Sequence, residues 1–222
     1  MRLKPQQNPL AIRCRLVTFR RRISMQRFRS LLTLCVLLLL VAPLQARRTI
    51  VIDAGHGGHD RGGIPGQRYS EKAAALDVSR RLNARLRAAG FRTIMTRDRD
   101  VFIGLRQRCN IANRQSNAAF LSVHFNSGRR EGANGIETYY YTGQSARFAA
   151  AVHSEVLRAA RTENRFVRRR GFYVIRNTRH PAVLAELGFL TNRSEGARIN
   201  GSASYRQSLA DALARAVIKT FR

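Results

Sequence analysis

Short apolar runs, several ending at glycine, histidine or asparagine, alternate with amphipathic stretches from residue 49 to residue 220. That alternation admits few folds besides a sheet packed between helices. The β-branched run Thr49–Asp53 stops at the glycine-rich segment Ala54–Gly58, as a buried strand stops at a loop. From Ser70 and Glu71 onward, Ala75, Val78, Leu82, Leu86 and Ala89 recur every three or four residues, one apolar stripe of a helix that Gly90 ends. The same logic predicts strands over Phe91–Arg97, Ala118–Phe125, Gly135–Thr142, Phe172–Arg176 and Ala182–Phe189. It predicts helices from Leu105 to Ala112, over 145–161 and over about 203–220. The charge run Arg165–Arg170 reads as a solvated loop. The expected architecture is a single α/β domain with helices on both faces of the sheet.

Ahead of this pattern lies a different one. Residues 31–42 (LLTLCVLLLLVA) form an uncharged run of twelve, shorter than the roughly 20 residues a membrane-spanning helix needs. Arg27 and Arg29 precede it, and Ala46 is a suitable last residue before cleavage. This three-part pattern predicts a signal peptide over residues 1–46. A start at Met25 gives a leader of ordinary size, so residues 1–24 read as an upstream start-site extension. Arg20, Arg21 and Arg22 raise twin-arginine export as a competing route, although the residues after them fit that motif poorly. The expected mature chain is 47–222, exported to the periplasm or beyond, with the membrane involved only through the leader. Cys14 and Cys35 fall in the leader, which leaves Cys109 alone; the mature chain then has neither an internal disulfide nor a cysteine-based metal site.

The whole chain carries 41 basic and 13 acidic residues. Nine of the basic ones and none of the acidic ones precede residue 47, so the mature part keeps a surplus of nineteen. Such a charge draws polyanions over long range, without choosing among nucleic acid, anionic lipid and wall polymers. The leader, and the lack of any recognition motif, set nucleic acid aside as a partner.

His56 and His124 stand at or just after the ends of strand runs, where open α/β sheets bind ligands. Glu71 opens the first helix, and Glu186 sits within the apolar run Val183–Leu187. Two imidazoles and a carboxylate make a catalytic zinc set with one open position, and a further carboxylate would take a proton from water. The four lie 15, 53 and 62 residues apart, so spacing does not establish that they meet.

Six ordered stretches supply a link: IVIDAGHGG (50–58), SEK (70–72), TRDRDVFIGLRQRCNIAN (96–113), FLSVHFN (120–126), GIETYY (135–140) and PAVLAELGFLTN (181–192). Together they resemble the zinc-dependent N-acetylmuramoyl-L-alanine amidases that hydrolyse cell walls. The resemblance implies a twisted, mostly parallel sheet of about six strands. It implies one Zn2+ ion bound by His56, Glu71 and His124, with Glu186 as the catalytic carboxylate. The implied reaction is cleavage of the amide bond between N-acetylmuramic acid and the L-alanine of the stem peptide. Peptidoglycan is the implied partner, anionic wall or outer-membrane polymers are further candidates, and a monomer is expected. Some members carry a long insertion, with a helix that plugs the site, after the second histidine; the short segment before Gly135 leaves no room for one, and an open site is expected. The chain departs from the family at Ala118, where an acidic residue is usual, and near His59 and Arg61.

Other residues carry weaker signals. Asp53 is a candidate acceptor for orienting His56, and Asn126 a candidate for shaping the substrate groove. Glu137 reads as structural, Arg108 and Asn113 as ties between a helix and a loop, and His59, His153 and His180 as loop or surface residues. A zinc peptidase acting within the stem peptide and a non-catalytic basic wall-binding module are the rival functions.

Overall fold

Along the chain, β1 (Thr49–Ala54) leads through the glycine-rich loop into α1 (Glu71–Ala88), and β2 (Thr93–Met95) leads into α2 (Leu105–Asn113). Then come β3 (Ala118–Asn126), β4 (Ile136–Tyr140), α3 (Ala146–Ala160) and β5 (Asn164–Arg169). The short α4 (Tyr173–Arg176), β6 (Ala182–Phe189), α5 (Arg193–Gly201) and α6 (Ala203–Phe221) complete the domain. This computed structural model describes residues 48–129 and 132–222; the expected leader and start-site extension lie outside them. Among the described residues, no helix is long and apolar enough to cross a membrane.

The strands form one sheet in the order β2-β1-β3-β6-β4-β5. The first four are mutually parallel, β4 pairs antiparallel with β6, and β5 lies parallel to β4. The sheet is therefore six-stranded and mostly parallel, with helices on both faces. Alternation along each strand divides the core. Ile50, Ile52, Leu121, Val123, Val183 and Ala185 pack under α1, α3 and α6. Val51, Phe120 and Leu184 point the other way and meet Cys109 and Ala112 of α2 and Val174 and Ile175 of α4. Each large apolar side chain so buried contributes about 1.5–3 kcal/mol.

Two expectations are corrected. Phe172–Arg176 is not a strand: Tyr173–Arg176 is one helical turn that seats Val174 and Ile175, adjacent in sequence, on the same small core. Arg165–Arg170 is not a loop, since residues 164–169 form the edge strand β5. An edge strand bonds on one side only, and charged side chains there discourage pairing with other chains. Its sequence, NRFVRR, therefore lacks the apolar alternation that reveals a strand. The strand count of six survives because the two misreadings offset each other.

The carboxyl ends of β1, β3 and β6 lie side by side, as their in-register parallel pairing requires. Because β4 runs the opposite way, its amino end arrives at the same rim and sets Glu137 across from Glu186.

Candidate metal centre

Each of the three expected ligands reaches the rim by a different route. His56 follows β1 in the loop, with φ of 59°, a left-handed conformation that few side chains adopt. Two arginines hold this backbone. Arg97 donates to the carbonyls of Ala54 (2.9 Å), Gly55 (2.6 Å) and Lys72 (2.8 Å). Arg108 donates to the carbonyls of Ala54 (2.6 Å) and His56 (2.7 Å). Glu71 is the first residue of α1, where the helix dipole favours a carboxylate. His124 lies near the end of β3, in register with Glu186 of β6.

Glu71 is the meeting point. Its Oε2 lies 3.1 Å from His56 Nε2 and its Oε1 lies 2.8 Å from His124 Nδ1. Oε1 also accepts from the Phe125 N–H at 3.1 Å. One donor atom from each of His56, Glu71 and His124 lies within 4.8 Å of the other two. Burial pushes the Glu71 carboxyl up, yet the hydrogen bonds and charges of His124 and His56 outweigh it and hold the group at about 2. Burial likewise lowers His56, but Glu71 and Asp60 prevail and raise its imidazole above the ordinary value.

Glycines make this convergence possible. A Cβ on Gly55 would sit 2.4 Å from the His124 ring. At Gly62, with φ of +68°, a Cβ would sit 2.5 Å from Glu71 Oε2 and 2.6 Å from the His56 ring.

Asp53 does not orient His56. It is fully buried and accepts from Thr96 Oγ1 (2.7 Å), Arg108 (2.8 Å) and Ser122 Oγ (2.6 Å). The acceptor at His56 Nδ1 is Asp60 Oδ2, 2.8 Å away, a residue that sequence reasoning missed. Its signal was an acidic side chain four residues on in the same loop, which no periodicity distinguishes from a solvated turn residue. Asp53 instead braces α2 against β1, through the helix-to-loop tie expected of Arg108. Asn113 makes a similar tie, to the Asn177 carbonyl (2.9 Å) and the Arg179 N–H (2.8 Å).

Glu186 Oε2 is buried and has no hydrogen-bond partner among the described residues. Burial, Glu71 and Glu137 push its carboxyl well above the usual range. Glu137 itself is fully engaged: Arg165 donates to one oxygen at 2.9 Å, and Asn126 (2.7 Å) and the Tyr139 hydroxyl donate to the other. Asn126 thus bears on the groove by pinning Glu137. His59 stays out of the cluster and lies against the Phe102 ring, centroids 4.2 Å apart. Two imidazole nitrogens and a carboxylate, with a bare carboxylate oxygen at the same rim, fit a divalent cation of the zinc type.

A family model described as N-acetylmuramoyl-L-alanine amidase matches residues 50–219. The chain belongs to that family. Among its relatives, YqiI of Bacillus subtilis is 38% identical over 196 residues, 84% of this chain and 94% of that protein. The N-acetylmuramoyl-L-alanine amidase LytC of Bacillus subtilis is 35% identical over 78% of this chain, but the match spans only 36% of LytC. Among solved structures, the catalytic domain of CwlV, an N-acetylmuramoyl-L-alanine amidase from Bacillus (Paenibacillus) polymyxa, superposes with a TM-score of 0.75. That match is 32% identical and covers 78% of this amidase and 97% of that chain. The amidase AmiC2 of Nostoc punctiforme gives a TM-score of 0.72 at 37% identity, over 78% and 96% of the two chains.

Proposed function

We propose that this amidase hydrolyses the bond between the lactyl carbonyl of N-acetylmuramic acid and the amine of L-alanine in peptidoglycan, with one zinc ion and Glu186 as the working groups. The observation that carries the reading is the convergence of His56, Glu71 and His124 donor atoms within 4.8 Å. A zinc ion held there would polarise the carbonyl and lower the pKa of water.

The chain's own residues do the rest. Asp60 accepts from His56 Nδ1 and so leaves Nε2 free to ligate. Phe125 N–H fixes the Glu71 carboxylate from behind. Glu186 takes the proton of the attacking water and returns it to the departing amine. Glu137, held by Arg165, Asn126 and Tyr139, stands across from Glu186 and helps to raise its carboxyl. The leader read over residues 1–46 would deliver the enzyme to the wall, and the basic surplus of the remainder suits anionic wall or outer-membrane polymers.

The test is metal analysis of the purified protein, followed by assay on sacculi with and without a chelator. One zinc per chain, loss of activity on chelation and release of intact stem peptides beginning at L-alanine are expected. Mass spectra showing cuts within the stem peptide instead would favour a peptidase.

A further inference from the structure

Five large apolar side chains are conspicuously exposed among the described residues, and four of them flank one groove. Phe102 is 48% exposed, Leu105 54%, Phe172 43% and Tyr173 38%. All four line a cavity of about 440 Å3 that also includes His56 and His124, so it opens directly onto the metal centre. A cavity of this size is of the order that holds a small organic ligand. Its floor is Leu184 and the buried Asp53–Arg108 pair. The rings are fixed in advance: Phe102 lies against His59, and Phe172 meets Tyr139 edge-on at 4.9 Å. Arg108 brings the only cationic side chain besides the histidines, and its charge is spent on Asp53 and on backbone carbonyls.

The other flank has the opposite character. A cavity of about 630 Å3 includes His56, Arg61 and Tyr69. A second, of about 500 Å3, shares residues 64–67 and Tyr69 with it and adds Arg68, Arg129 and Arg193. None of these four guanidinium groups has a carboxylate partner among the described residues.

The two halves of the substrate differ in the same way. In the glycan strand the lactyl carboxyl is consumed in the amide, so the sugars beside the scissile bond are uncharged and present C–H ring faces and N-acetyl methyl groups. The stem peptide carries free carboxylates. We infer that the glycan strand lies on the Phe102–Leu105–Phe172–Tyr173 flank and the stem peptide on the Arg61–Arg68–Arg129–Arg193 flank, with the scissile amide over the metal centre between them. Aromatic faces attract the weakly positive C–H edges of the sugars. The guanidinium groups of Arg61, Arg68, Arg129 and Arg193 attract the peptide carboxylates. This orientation rests on the amidase reading.

Three soluble substrates test it: a muramoyl peptide with one sugar, the same peptide on a tetrasaccharide, and the one-sugar substrate with its stem carboxylates amidated. The preference of the wild type for tetrasaccharide over one sugar, as a ratio of kcat/KM, is expected to fall about tenfold in F102A and F172A. Phe102→Tyr, which keeps the ring, is expected to hold the ratio. The preference for free over amidated carboxylates is expected to fall several-fold in the Arg61→Gln, Arg193→Gln double variant, with the glycan-length ratio unmoved. Glycan-length ratios that respond to the arginine variants and not to the phenylalanine variants would reverse the orientation, and ratios that respond to neither would overturn the proposal. A zinc-loaded wild type inert on all three substrates would instead sink the amidase reading beneath it.

Discussion

Arg108 of α2 reaches Asp53 at the end of β1 across 2.8 Å, with both side chains almost wholly buried. Burial pushes the Asp53 carboxyl up, but Arg108 and the Ser122 hydrogen bond outweigh it and hold the group below its usual value. The pair couples α2 to the strand that delivers His56, so it bears on stability and on the site together. Removing the cation alone leaves a buried charge, which costs about 3–5 kcal/mol. Arg108→Met is therefore expected to lower unfolding free energy by that order at neutral pH. The sign with pH follows from the depressed carboxyl. Its stabilisation is complete above the unfolded value of about 3.9 and is lost as pH falls through the folded value. Urea denaturation of both proteins should give a difference that is large at pH 7 and shrinks below about pH 4; an equal difference at both would refute the assignment.

Gly55→Ala places a methyl group 2.4 Å from the His124 ring, and the φ of +68° at Gly62 makes Gly62→Ala strained as well. Both variants are expected to fold yet bind less zinc, because the clash falls on ligand side chains. Metal stoichiometry by mass spectrometry, beside a circular dichroism spectrum of wild-type shape, checks this. Full zinc occupancy in Gly55→Ala would show that His124 is not needed where it stands.

Glu186→Gln keeps the size of the side chain and removes its ability to take a proton. Turnover is expected to fall by at least 10²-fold with zinc still bound, in line with what a positioned proton carrier contributes. A variant that retains most of its activity on sacculi would remove Glu186 from the reaction.

Asp60 lies outside the proposed ligand set and holds His56 through Nδ1. Asp60→Ala should weaken zinc binding about 10–100-fold, the usual effect of losing the partner of a metal-bound histidine. Competition with a chelator of known affinity measures it, and an unchanged affinity would mean that the loop alone orients the ring.

With 32 basic against 13 acidic side chains beyond residue 46, attachment to an anionic wall should be screened by salt. Activity on intact sacculi is expected to fall faster between low and physiological ionic strength than activity on a small soluble fragment. Parallel curves for the two substrates would argue against electrostatic docking.

Most of the framework is legible in the amino-acid sequence. The runs at Thr49–Asp53, Ala118–Phe125 and Ala182–Phe189 are almost unbroken because both faces of the sheet are buried, and the helical stripe from Ala75 to Leu86 is a signal of local period. The strand β5 escaped because an edge position relaxes the demand for apolar side chains, and α4 escaped because a single turn is too short to show a period. At the candidate metal centre, residue types and a family likeness named His56, Glu71 and His124, but spacings of 15 and 53 residues carry no geometry. Only the parallel register of β1, β3 and β6 and the reversal of β4 decided that these side chains, Glu186 and Glu137 share one rim. Only the packed loop decided that Asp60, and not Asp53, faces His56. Periodicity is written by nearest neighbours along the chain, whereas contact between distant residues depends on how whole elements stack, which a local pattern does not encode.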